Sequence, residues 1–70
     1  MLREVMDDPQ EVLSLNPRLR NNLLRLDCYT LFGISKKGRR YFTREQKFTK
    51  NNMAALDALF AANNCSHLFI

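Results

Sequence analysis

Two prolines govern where this chain can begin a helix, and each follows an Asx residue. In Asp8-Pro9-Gln10-Glu11, the Asp8 carboxylate can accept from the free N–H groups of a first helical turn, and Pro9 has no N–H to leave unpaired. Glu11, three residues after Asp8, makes an approximate capping box. Asn16-Pro17 repeats the device. A residue before proline avoids the helical region, so a first helix over 9–15 must stop before the next begins. The second is predicted over 17–26, with Leu19, Leu23 and Leu26 as its apolar stripe. Arg18, Arg20 and Arg25 fall largely off that stripe, toward water.

From Cys28 the period changes. CYTLFGI (28–34) and RYFTREQKF (40–48) are rich in aromatic and β-branched residues, the composition of strands. The polar connection between them contains Gly38, which suits the left-handed residue of a hairpin turn with a bulge. A β-hairpin is therefore expected. In its second strand Phe42, Arg44, Gln46 and Phe48 would share one face, with Phe42 and Phe48 marking the core side. Tyr41, Thr43, Glu45 and Lys47 would share the other face, leaving Tyr41 outward beside its cationic neighbours.

Thr49 or Asn51 can cap a third helix over 51–62, whose stripe is Met53, Leu56, Leu59 and Phe60. Five alanines supply helix propensity there, and Asn63-Asn64 can take the left-handed stop position. CSHLFI (65–70) then reads as a terminal strand. The expected fold is α+β in the order α-α-β-β-α-β. It has a three-stranded, mainly antiparallel sheet of strand order 2-1-3 packed on the helices. At 70 residues, 1–70 make a single compact domain with a thin core, and residues 1–8 are free to fray.

Composition excludes several classes. Hydrophobic residues are 46% and charged residues 26%, which is globular rather than disordered. Two cysteines are too few for the framework of a small secreted protein, and MLREVMDD lacks the cationic start and apolar run of a secretory signal. No apolar run approaches the ~20 residues of a membrane span. A cytoplasmic protein with reduced thiols is expected.

Catalysis finds little to work with. His67 is the one histidine, and no nucleophile–base pair, glycine-rich phosphate loop or metalloprotease motif is present. Cys28, Cys65 and His67 could offer three metal ligands, with Cys65 and His67 on one side of a strand. A closed zinc site wants four, and no fourth is evident. The expectation is a non-enzymatic protein with no cofactor and no metal.

The net charge of +4 is unevenly spread. Residues 34–50 hold seven cations against Glu45 alone, whereas residues 1–15 hold Arg3 against Glu4, Asp7, Asp8 and Glu11. A hairpin at 35–44 bearing Lys36, Lys37, Arg39, Arg40 and Arg44, with Lys47 close behind, could grip a phosphate backbone. Tyr41 and Tyr29 could stack on bases or pack on guanidinium planes. The expected function is a small regulatory protein binding DNA or RNA through this hairpin. The element order over 28–62, a basic ribbon followed by a helix, resembles arm-type DNA-binding modules of some recombinases, without a shared signature motif. The competing expectation is a protein-interaction adaptor or inhibitor docking an acidic protein surface. Its Leu68-Phe69-Ile70 edge strand could also pair two copies into a homodimer.

Overall fold

The computed structural model describes residues 2–70, with side chains from Glu4 onward. Among the described residues six helices follow one another: α1 (Leu2–Asp7), α2 (Gln10–Leu13), α3 (Pro17–Arg25), α4 (Leu31–Lys37), α5 (Arg39–Arg44) and α6 (Lys50–Ala62). A single 3₁₀ turn, Ser66–Leu68, follows α6. Among the described residues there is no strand, so the expected α+β fold, its hairpin and its 2-1-3 sheet are overturned. The resemblance to a strand-based DNA-binding arm goes with them.

The Asn16-Pro17 start behaves as the sequence predicts, whereas the helix expected over 9–15 is only Gln10–Leu13, with Pro9 in place of Asp8 as its N-cap. Asp8 Oδ1 accepts from the Gln10 N–H at 2.9 Å, and Asn16 Oδ1 accepts from the Leu19 N–H at 3.0 Å. Glu11 does not close a capping box; its carboxylate accepts from the Asn63 side-chain amide at 2.9 Å, tying α2 to the end of α6. The α3 stripe of Leu19, Leu23 and Leu26 is buried. Thr49 caps α6, accepting from the Asn52 N–H at 3.2 Å, and Leu56 and Phe60 carry its buried face.

The helices α3 and α6 end by the same device. Asp27 and Asn64 both take left-handed backbone, at φ 60° and 58°. After α3, the Cys28 N–H reaches back to the Leu23 carbonyl at 2.8 Å and the Asp27 N–H to Leu24 at 3.0 Å. After α6, Cys65 N–H bonds to Phe60 at 2.7 Å and Asn64 N–H to Ala61 at 3.0 Å. Both are Schellman motifs, which satisfy the last carbonyls of a helix and turn the following residue onto the core. That residue is cysteine each time, fully buried. Each thiol donates to the carbonyl two residues before it, at 3.6 Å for Cys28 and 3.1 Å for Cys65.

This explains why the predicted strands fail. Cys28 closes a helix instead of opening a strand. Thr30 then accepts from the Gly33 N–H at 3.1 Å and starts α4, using a β-branched residue as a cap. Within α4 Leu31 and Ile34 are buried while Phe32 and Lys36 are exposed, which is helical spacing and not alternation. A strand over 40–48 would have buried Arg44 and Gln46 alongside Phe42 and Phe48. Ending α5 at Arg44 brings the two rings to 4.9 Å and leaves Arg44 and Gln46 in water. In the last segment Cys65 and Phe69 are buried one helical turn apart.

The core lies where these ends meet. Phe60 and Phe69 stack at 4.9 Å, and Phe69 meets Phe42 edge-on at 6.1 Å. Around them pack Val12, Leu19, Leu23, Leu31, Ile34 and Leu56, all 0–1% exposed. Buried aromatic pairs of this geometry add about 0.5–1.5 kcal/mol each beyond their area. The element α1 contributes Met6 and packs on α4.

Candidate nucleic-acid interface

The basic segment occupies the junction of two helices, not a hairpin tip. Lys36 and Lys37 end α4, Arg39 and Arg40 begin α5, and Arg44 ends it. Gly38 joins them at φ 83°, ψ 161°, a backbone region that glycine alone occupies freely. The positive φ foreseen at Gly38 is present, but its ψ is extended rather than that of the left-handed residue of a hairpin turn, and it redirects a helix. Lys36 and Lys37 lie in the last turn of α4, where a helix's exposed carbonyls favour cations.

Arg39 differs from the other cations of the segment in being paired, although its side chain stays 42% exposed. Its guanidinium makes a two-pronged pair with Asp57 of α6, with Nη1 to Oδ2 at 3.2 Å and Nη2 to Oδ1 as the second contact. The same group lies over the Phe69 ring at 4.6 Å, and its backbone N–H donates to the Ile70 carbonyl at 3.1 Å. The hydrogen bond to Asp57 holds its pKa above the ordinary arginine value. Arg39 therefore joins α5, α6 and the last residues, with its charge already balanced by Asp57.

Four cations of the segment remain available. Among the described residues no carboxylate lies within ion-pair distance of Lys36, Lys37, Arg40 or Arg44. Glu45 is turned away, toward Arg25 at 3.9 Å. Lys36 sits over the Phe32 ring at 5.3 Å and Lys37 over the Tyr41 ring at 4.8 Å, which orients both ammonium groups without neutralising them.

Tyr41 is not the outward platform expected. It is half-buried, edge-on to Phe42 at 5.3 Å, with Lys37 over its ring. The exposed aromatics are Tyr29, 52% exposed, and Phe32, 48% exposed, flanking the start of α4. The Tyr29 hydroxyl donates to Asp27 at 3.0 Å, and that bond raises its pKa. Phe32 was hidden from sequence reasoning by the strand assignment. Its signal was its i, i+4 spacing from Lys36.

Lys47 separates from the group. It lies on the connection between α5 and α6, where it lines a concavity of about 440 Å³ with Arg18, Asn22 and Asn52. Cys28 and Cys65 are buried at the two helix stops, and His67 is exposed. The desolvation of Cys28 pushes its thiol above the ordinary value, with Lys37 drawing it partly back.

No known protein family matches this chain, and neither the curated proteins nor the solved structures hold a similar one. No helix among the described residues is long and apolar enough to cross a membrane.

Proposed function

We propose that the protein is a non-enzymatic, cytoplasmic nucleic-acid binder whose contact surface is the α4–Gly38–α5 junction. The observation that carries this reading is the set of four cations, Lys36, Lys37, Arg40 and Arg44, around one bend with no carboxylate within ion-pair distance of them among the described residues; Asp57, held by Arg39, is the acid at the junction. A solvated face with mixed charge would have placed acids among them; residues 31–44 contain none. Phosphate groups gain most from such a surface, because neutralising them releases condensed counterions. Tyr29 and Phe32 add exposed rings on which bases can stack. Two free, buried thiols suit a reducing compartment.

The expected homodimer through an edge strand is not carried forward, since the segment meant to form that edge is a 3₁₀ turn followed by buried Phe69. An acidic protein surface remains the alternative partner, and one experiment separates the two. Affinity for duplex and single-stranded DNA or RNA is measured across a salt series. With four phosphates engaged, log K should fall against log salt with a slope of about −3 to −4. Replacing Lys36, Lys37, Arg40 and Arg44 with glutamine should flatten that slope while leaving the melting temperature nearly unchanged. Binding that is absent or indifferent to salt sinks the proposal.

A further inference from the structure

We infer that the concavity between the starts of α3 and α6 is a second binding site, built for a nucleotide and independent of the α4–α5 junction. Its volume is about 440 Å³, within the range of small-ligand pockets. Its walls carry two cations, Arg18 and Lys47, and four carboxamides, Asn16, Asn22, Asn51 and Asn52, with no acidic side chain.

Much of this polar lining is not used by the fold. The Asn16 oxygen caps α3 and the Asn22 oxygen accepts from Arg25 at 3.4 Å. Neither bond consumes a side-chain N–H. Arg18, Lys47, Asn51 and Asn52 make no side-chain hydrogen bond or ion pair with any described residue. Asn16 serves the fold as the cap of α3, and the side-chain N–H groups of all four carboxamides stay open to a ligand with both donors and acceptors.

The chemistry selects the class. Arginine and lysine hold phosphate oxygens by charge-assisted hydrogen bonds. A carboxamide presents a donor and an acceptor side by side, the pattern complementary to the edge of adenine. A simple anion would use the two cations and leave the asparagines idle, and a nucleoside would do the reverse. A nucleoside phosphate uses both. The same unit could arrive free or as one residue of a single strand, and the hollow offers the same groups to either.

The test uses the intact protein, labelled with ¹⁵N and followed by NMR. Adenosine 5′-monophosphate, adenosine, inorganic phosphate and a single-stranded oligodeoxyadenylate are titrated in turn. The monophosphate should shift the side-chain amides of Asn22, Asn51 and Asn52 saturably, with adenosine and inorganic phosphate each binding about tenfold or more weakly. Arg18→Gln and Lys47→Gln should each weaken the monophosphate about tenfold. Both side chains are exposed, and unchanged amide spectra of the free variants verify their fold. If the oligonucleotide moves the same amides, the source is a strand; if only the monophosphate does, the source is a free nucleotide. Either result supports the site. Overturning results are no saturable shift of these amides, or inorganic phosphate binding as tightly as the monophosphate. Neither depends on the salt slope for duplex DNA, so this site and the α4–α5 surface can fail separately.

Discussion

Replacing Gly38 with alanine places a methyl group where the chain turns from α4 into α5. The residue sits at φ 83°, ψ 161°, a region that costs a residue with a Cβ about 1–3 kcal/mol. The new Cβ would also stand 3.3 Å from the Ile70 backbone oxygen, tighter than an ordinary contact. That oxygen is held by the Arg39 N–H at 3.1 Å. Relieving the contact strains this hydrogen bond, worth about 1 kcal/mol net. Gly38→Ala should therefore destabilise by roughly 2–4 kcal/mol, a large share of the ~4–10 kcal/mol expected of a 70-residue domain. Gly33 provides the control. It lies inside α4, where an added Cβ would meet Thr30 Oγ1 at 3.6 Å and Cys28 Cα at 3.9 Å, both ordinary contacts. Gly33→Ala should stabilise by about 0.5–1 kcal/mol, because alanine loses less backbone freedom in a helix. Urea denaturation followed by far-UV circular dichroism reads both, with the midpoint moving in opposite directions and the slope unchanged. If Gly38→Ala lay within about 0.5 kcal/mol of wild type, or if both variants moved the same way, the account of the junction would be wrong.

Three further outcomes follow from the same packing. Phe60→Ala, which empties a fully buried position stacked on Phe69, should cost about 3–5 kcal/mol in the same denaturation assay. Asn16→Ala, which frees the Leu19 N–H at the start of α3, should cost about 1 kcal/mol, while Asn21→Ala on the exposed side of α3 should not. Alkaline pH should weaken the fold through Cys28. Its folded thiol titrates above the ordinary value of 9.0, so the native state keeps a proton that the unfolded chain has released. The stability gained from that protonated thiol is whole below the unfolded pKa and is lost as pH rises from there through the higher folded pKa. Urea midpoints measured on both sides of that value should fall less steeply for Cys28→Ala than for wild type.

How much of this was legible beforehand depends on the range of the interaction. Asn16-Pro17 and Thr49 announce α3 and α6 because an N-cap needs only its own first turn. The bend at Gly38 and the stop at Asn64 are equally local, set by which residues tolerate positive φ. The charge of 36–44 is plain from the residues themselves. The stop at Asp27 had the same form as the one at Asn64, with Asx before cysteine, yet the β-rich composition of 28–34 masked it.

The secondary structure of 28–48 was decided elsewhere. A short apolar run serves a strand or a buried helix equally well by pattern. What separates them here is that helices ending at 37 and 44 bury Leu31, Ile34 and Phe42 while Arg44 and Gln46 stay in water. Arg39 shows the same limit at a single side chain. In the sequence it matches Arg40, but Asp57, 18 residues on, pairs with it and the Phe69 ring lies beneath it. The hollow between α3 and α6 likewise joins Arg18 to Lys47, residues that no local pattern connects. The chain alone thus determined the starts of α3 and α6, the turn at Gly38 and where its charge is carried. Which cations remain free for a partner was settled only by contacts between residues far apart in sequence.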